Sequence, residues 1–449
     1  MHAFISRKRV SPIQRKEHNM IKIGLCTLGC RVNQYETRAM TEYLEAYGAE
    51  IGSFDEKCDA YIINTCAVTS ESERKSRQMS RRANKLNPDA TIIITGCASQ
   101  LHPELCATLP GVKYVGGNEE KLAAAKAALE LTNTPIIEPV MADLSFSGEF
   151  ENYAVRVPDH TRAYVKIEDG CENKCAYCVI NKIRGPIRSK PRTDVVREVR
   201  ALAELGYKEI VLTGIETCSY QFGLTDLMRE LSEIEGIERL RLSSVNPAFI
   251  NKRFTDTVKD IPKVCPHFHL SLQSCCDKTL AAMRRRYNTR MLKENCAYLR
   301  ENIPDVCFTA DVICGFPGET DGDFEETLKN TKELGLLSAH IFPFSKRPGT
   351  EAATMPDQLP ENVKQKRCAA LSSAVSESQK AIVNGYIEEK KQLKVLFETY
   401  KEGYVFGHTE NFISVRAKGD EKSLNNIFNV ILTNLNEGEG DYLANGVII

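Results

Sequence analysis

No run of apolar residues in the 449-residue chain approaches the length of a membrane-spanning helix. The opening stretch, MHAFISRKRVSPIQRKEHNM, is basic and lacks the apolar segment of a secretory signal. Residues 1–20 read as a leader, and the expected location is cytoplasmic, with no membrane partner. Net charge is also nearly absent: 59 Lys and Arg stand against 60 Asp and Glu, for a formal charge of -1. That excludes a bulk polycation, so any contact with nucleic acid must come from local basic patches. Tryptophan is missing altogether, which excludes nothing. There is no internal repeat and no low-complexity tract. What the chain does have is enough apolar residue for packed cores (42% hydrophobic, 27% charged) and seventeen cysteines. Without secretory features, so many thiols point to metal or redox use rather than to disulfides.

Hydrophobic patterning divides the chain into an α/β array and a β-rich tail. Residues 21–135 read as a first domain, an open and mostly parallel sheet. Its apolar strands are IKIGLCTL (21–28), AYIINT (60–65) and TIIIT (91–95), with helices over 33–47 and 70–86. Residues 136–159 read as a linker. Residues 160–388 carry six strand–helix units, with strands near 163–167, 208–213, 238–243, 267–272, 306–314 and 338–342. Six such units predict a partial barrel, and sites on such barrels lie at the C-terminal ends of the strands. One helix of this domain is predicted to start at Thr193 as N-cap and to end at Gly206. A long helix is expected over 361–388. From 389 to 449, short strands separated by Gly and Asn predict a small antiparallel β-barrel.

Cys171, Cys175 and Cys178 form a Cys-x3-Cys-x2-Cys run just after the first barrel strand. A structural zinc site takes four ligands, and a four-iron cluster ordinarily takes four thiolates. Three thiolates leave one iron of a cluster open to a substrate. The alternative is a loop of buried or zinc-bound cysteines. A second set lies in the first domain, where Cys30, Cys66 and Cys97 each follow one of the three strands. Ligands of open α/β sheets bind beyond the carboxyl ends of strands. These three thiols therefore read either as ligands of a second open cluster or as unrelated core cysteines.

Together with HLSLQS (269–274), DVICGFPGET (311–320) and FSKRPGT (344–350), these motifs resemble the radical S-adenosylmethionine (SAM) methylthiotransferases from about residue 21 to the end. TLGCRVNQYET (27–37) is most similar to the branch that acts on N6-threonylcarbamoyladenosine in tRNA. The branches acting on isopentenyladenosine and on a ribosomal-protein aspartate usually carry other residues after Gly-Cys. The resemblance implies an N-terminal methylthiotransferase domain, a partial (βα)6 radical SAM barrel and a C-terminal TRAM domain. It also implies two [4Fe-4S] clusters, on Cys171, Cys175 and Cys178 and on Cys30, Cys66 and Cys97. One SAM would be cleaved reductively to methionine and a deoxyadenosyl radical that takes the hydrogen from C2 of the modified adenosine. A second would supply the methyl of the methylthio group. An unactivated C–H bond is beyond side-chain acid–base chemistry at neutral pH, so a cofactor must carry that step.

The resemblance further implies SAM contacts. Tyr177 is placed near the adenine, or is a core aromatic. Gly214 and Glu216 end the second strand, with Glu216 an acceptor for the SAM ammonium. Ser243 and Gln273 end later strands, and Asp311 and Gly315 belong to the fifth-strand motif. Asn181 and the Cys275–Cys276 pair depart from the family pattern. The implied macromolecular partner is a tRNA anticodon arm. It would be met by the basic runs at 183–192 and on the helix carrying Arg74, Lys75, Arg77, Arg81, Arg82 and Lys85. Tyr404, Phe406, His408, Asn411 and Phe412 of the tail would either stack on RNA or form its core. An electron donor and a sulfur source are required, and no motif identifies them. The reading from a different class is a non-catalytic iron–sulfur RNA-binding protein.

Overall fold

The computed structural model describes residues 20–132, 138–158, 160–436 and 443–449; the leader read at 1–20 lies outside these except for Met20. The first body is a wholly parallel sheet of β1 (Lys22–Thr27), β2 (Glu50–Gly52), β3 (Ala60–Thr65), β4 (Thr91–Gly96), β5 (Val112–Val115) and β6 (Val140–Met141). The order is β2-β1-β3-β4-β5-β6. Helices α1 (Arg31–Ala46), α2 (Ser70–Leu86) and α3 (Cys97–Leu101) follow β1, β3 and β4. β3 and β4 are buried along their whole length, as expected for central parallel strands covered on both faces. β2, β5 and β6 are two to four residues long, too short to show as apolar runs. β6 lies within the segment read as a linker. Further along that segment, the Tyr153 carbonyl accepts from Tyr35 and Lys190, and the Val155 N–H donates to Glu198. Its described part is a packed strap between the first two bodies.

The second body holds β7 (Arg162–Lys166), a ribbon of β8 (Glu168–Asp169) with β9 (Arg188–Ser189), then β10 (Glu209–Thr213), β11 (Arg239–Leu242), β12 (His267–Gln273), β13 (Cys307–Cys314) and β14 (Ser338–Pro343). β7, β10 and β11 form one parallel sheet, and β12, β13 and β14 another. Two hydrogen bonds join them, Val245 N–H to His269 O at 2.7 Å and Ser271 N–H to Val245 O at 3.0 Å. The six strands thus form one open half-barrel. Alternation sorts its residues: Ala163, Val165, Ile210, Leu270 and Ala310 pack outward on the helices. Their neighbours Tyr164, Lys166, His269, Thr309 and Asp311 line the inside. The helix predicted from Thr193 runs over Arg192–Glu204 with Pro191 at its N-cap; the fixed φ of proline begins the turn before the threonine can cap it.

The helix Glu361–Glu388 leads to a closed barrel of β15 (Gln392–Lys401), β16 (Tyr404–Thr409), β17 (Ser414–Lys418), β18 (Ile427–Leu435) and β19 (Ala444–Ile448). β17 and β19 pair parallel, and the other pairs are antiparallel. This small barrel docks under the N-terminal ends of the half-barrel strands. Arg239 donates to the carbonyls of Lys394 and His408, and Arg241 to that of Glu410. Phe412 stacks between His267 (4.4 Å) and His408 (4.7 Å), while Asn411 donates to the Asp305 carbonyl. His408, Asn411 and Phe412 are therefore interdomain contacts rather than an RNA-stacking platform, and Phe412 also packs against the core of the small barrel.

Candidate active site

β7 and β8 deliver the first set of thiols. Gly170, at φ +93, turns the chain so tightly that a Cβ would lie 2.0 Å from the Pro186 carbonyl, a conformation open to glycine. The Cys171 N–H then bonds the Gly185 carbonyl, and the Cys178 N–H bonds the Cys175 carbonyl. The three thiols lie within one another's electrostatic reach. Burial pushes the Cys171 thiol up to about 11 and that of Cys178 to about 12, so the thiolates need a cationic partner. Arg285 supplies one charge from the opposite wall. It donates to Cys175 Sγ at 3.7 Å and to the Ser271 carbonyl at 2.7 Å.

The second set stands at three adjacent strand ends. Thr27 is in register with Asn64, and Thr65 with Gly96, so the turns carrying Cys30, Cys66 and Cys97 lie side by side. Gly29 has φ +97, and a Cβ there would come within 2.8 Å of Cys66 Sγ. Cys30 and Cys97 both enter the electrostatic environment of Cys66, whose thiol burial pushes to about 11. Asn33 ties the turns together by donating to the Leu28 and Thr65 carbonyls. Thr65 Oγ accepts from the Ala98 N–H next to Cys97.

The two sets adjoin. Cys97, Ala67 and Ala98 pack in one apolar cluster with Val179 and Ile183, which follow Cys178. Arg184, fully buried, donates to Glu36 and Asn33 of α1 at 2.6 Å each and to Asp169 at 3.0 Å. Its field reaches Cys30 and Cys97. Burial alone would raise the Glu36 carboxyl; Arg184, Lys166 and Lys121 override it and hold it far below the usual carboxylate range. On the far side, Arg347 after β14 donates to Glu73 (2.9 Å) and Ser70 (3.2 Å) of α2. The first body thus spans the open side of the half-barrel from the β7 edge to the loop after β14 and encloses its interior.

Among the described residues, no three His, Cys, Asp or Glu side chains converge as ligands of a single metal ion. A cubane cluster asks for something different, since each thiolate binds its own corner iron and the sulfurs stand apart around the cube. Three soft, mutually interacting thiols per site suit such a group. The barrel mouth also holds buried polar atoms with no partner, Glu168 Oε1, Asn181 Oδ1 and Arg285 Nε, as a site built around a polar ligand would. The residues present fit both groups.

The remaining sequence-predicted residues ring the barrel mouth. Glu216 accepts from Asn173, inside the cysteine loop, at 2.9 Å and from Asn246 at 3.5 Å. Ser243 lies 3.3 Å from the Thr217 hydroxyl. Gln273 ends β12 with φ +66. Tyr177 packs beside Met283, Phe316 and Phe344. Two glycines make room for protein rather than for a ligand: a Cβ at Gly214 would lie 2.6 Å from Glu168 Oε2, and one at Gly315 2.3 Å from Lys364. Asp311 lies deeper, inside the barrel, 3.3 Å from His269. Cys275 and Cys276 are fully buried core residues.

Sequence reasoning missed Glu168, Arg285, His340 and Phe342. The last two face inward from the edge strand β14 and are solvent-exposed. The basic run at 183–192 largely turns inward. Arg184, Arg188 and Lys190 are buried and paired with Glu36, Glu119 and Glu198, so none of the three is free to meet phosphate. The basic residues of α2 stay on the surface, with Arg74, Arg77 and Arg82 paired to Glu71, Glu73 and Asp55.

Residues 22–117 match the uncharacterized protein family UPF0004, and residues 165–330 match the radical SAM superfamily. The threonylcarbamoyladenosine tRNA methylthiotransferase MtaB of Bacillus subtilis is 36% identical, covering 92% of this chain and 93% of its own. MtaB of Aquifex aeolicus is 35% identical (89% and 97%). The tRNA-2-methylthio-N(6)-dimethylallyladenosine synthase of Thermodesulfovibrio yellowstonii is 34% identical (93% and 98%). Among solved structures, the radical SAM methyltransferase TsrM of Kitasatospora setae shares the fold, with TM-score 0.56 at 16% identity over 74% of this chain and 75% of its own. With its thiol sets, its half-barrel and full-length relatives of this kind, the chain belongs to the radical SAM methylthiotransferase family.

Proposed function

We propose that this enzyme inserts a methylthio group at C2 of N6-threonylcarbamoyladenosine beside the anticodon of tRNA. In this reading it uses two [4Fe-4S] clusters, on Cys171, Cys175 and Cys178 and on Cys30, Cys66 and Cys97. The observation that carries the reading is the packing of Cys97 against Val179, which sets both thiol groups at the mouth of one enclosed half-barrel. Residues 21–135 then form the methylthiotransferase domain, 136–159 the connecting strap, 160–388 the radical SAM domain and 389–449 the TRAM domain.

When bound, the clusters supply electron transfer to SAM and a carrier for the sulfur. The chain's own residues bind, orient and exclude water. Glu216, held by Asn173 and Asn246, and the unpartnered Oε1 of Glu168 present acceptors for the SAM ammonium. Arg285 offers its guanidinium to the carboxylate end and to Cys175. Tyr177 gives an apolar wall on the adenine side. The Arg347–Glu73 and Arg184–Glu36 contacts hold the first domain across the opening, which keeps water from a reactive radical.

The test is mass spectrometry of tRNA nucleosides from a strain lacking the gene, with and without a plasmid copy. Loss of 2-methylthio-N6-threonylcarbamoyladenosine, restored by the plasmid, is the expected result. Loss of the methylthio-isopentenyl nucleoside instead would give the substrate to the second branch, to which the Thermodesulfovibrio relative belongs by name.

A further inference from the structure

Arg31 follows Cys30 and begins α1, and its guanidinium lies over the ring of Tyr164 on the inner face of β7, 5.6 Å from the centroid. Among the described residues it has no carboxylate partner. Three carboxylates stand in this part of the barrel, and each is taken. Asp311 lies 3.3 Å from His269. Glu209 is held by Arg241 at 2.7 Å and Arg239 at 3.4 Å. Glu398 is held by Arg162 at 3.0 Å and His408 at 2.6 Å. The same enclosed space contains His267, which burial, Arg241, His269 and Arg31 hold neutral. A half-buried arginine whose neighbouring carboxylates are already shared among other cations is costly, unless an anion arrives to complete it.

The proposed substrate brings such an anion. N6-threonylcarbamoyladenosine carries the free carboxylate of its threonyl group, whereas an isopentenyl or dimethylallyl group is apolar and would bury nothing to match this charge. We infer that Arg31 binds the threonyl carboxylate of the modified adenosine and so sets the enzyme's choice of nucleoside. The inference rests on the reading under Proposed function and deepens it. A guanidinium–carboxylate pair is bidentate and charge-assisted. Because it forms only with the charged side chain, it discriminates more strongly than a change of apolar size.

The experiment measures binding of the reconstituted full-length protein to three synthetic anticodon stem-loops. They differ only at the target nucleoside: adenosine, isopentenyladenosine or N6-threonylcarbamoyladenosine. The proteins are the wild type, Arg31→Gln and Arg31→Lys. The wild type should favour the threonylcarbamoyl stem-loop by about tenfold or more, the effect of a hydrogen bond to a charged group. Arg31→Gln should erase that preference while leaving the other two affinities in place, and Arg31→Lys should restore part of it. Equal weakening of all three stem-loops by Arg31→Gln would overturn the inference and make Arg31 a phosphate contact. An unchanged preference would overturn it as well. Iron content of each variant shows whether the neighbouring Cys30 site still loads. Failure of the parent reading is seen separately, in the nucleoside analysis of the deletion strain.

Discussion

Arg184 donates to Glu36 at 2.6 Å, with neither side chain exposed to solvent. One residue closes the helical turn after the barrel cysteines; the other lies on the helix that begins beside Cys30. The pair is thus a direct link between the loops carrying the two sets of thiols. Breaking into a buried charge network costs about 3–5 kcal/mol, and loss of Arg184 would strip donors from Glu36, Asp169 and Asn33 at once. Arg184→Met should therefore lower the unfolding free energy by about that amount. Denaturant unfolding checks this, and adding Glu36→Met should deepen the loss, because it takes the carboxylate from the buried Lys121.

The docking of the terminal barrel makes a second prediction. Phe412 adopts φ +77 and stacks between His267 and His408, with Arg241 4.9 Å from its ring centroid. Phe412→Ala should cost about 3 kcal/mol. It should also separate the terminal barrel's unfolding from that of the half-barrel, seen as two calorimetric transitions where the wild type shows one.

Acid should attack the same junction. Burial alone would raise the Glu209 carboxyl, but Arg241 and Arg239 overcome it and hold it at about 2. A depressed carboxyl contributes stability that is present above its unfolded value of about 4.3 and is lost as pH falls through about 2. Melting temperature should therefore drop across that window. In Glu209→Gln, less stable at neutral pH, the drop should be shallower.

Phe342 is 44% exposed on the inner side of the edge strand β14. At the mouth of the proposed site, an exposed aromatic would offer a stacking face worth about 1–3 kcal/mol per base. Phe342→Ala should weaken anticodon stem-loop binding by that amount without altering iron content, as titration of the reconstituted protein would show.

The α2 surface makes an electrostatic prediction. Lys75, Arg81 and Lys85 project from an exposed face without a carboxylate partner among the described residues. Changing all three to Gln should weaken tRNA binding uniformly across sequences. It should also flatten the salt dependence by up to about 0.9 for each phosphate left without its cation. An unaltered slope would place the phosphates elsewhere.

Much of this architecture is legible in the chain. AYIINT and TIIIT are buried strands because their apolar runs cannot be satisfied otherwise, and the six barrel strands fall within a residue or two of where patterning puts them. Cys30, Cys66 and Cys97 can be grouped because strand ends in a parallel sheet meet on one edge. What patterning cannot reveal is the partner of a charge. Arg184, Arg188 and Lys190 read as a phosphate-binding run, yet they pair with carboxylates up to about 150 residues away in sequence. Arg285 and Glu168 carry no motif; only the fold brings them to Cys175 and Glu216. Gly214 and Gly315 read as ligand positions, whereas the protein's own Glu168 and Lys364 fill the space beside them.

The central claim is that each set of three thiols holds its own cluster. Iron analysis of anaerobically reconstituted full-length protein tests it most directly, comparing the wild type with a Cys30, Cys66 and Cys97→Ala triple variant and a Cys171, Cys175 and Cys178→Ala triple variant. About eight irons are expected per wild-type chain and about four in each variant. A Cys30, Cys66 and Cys97→Ala protein that retains the wild-type iron content would contradict it.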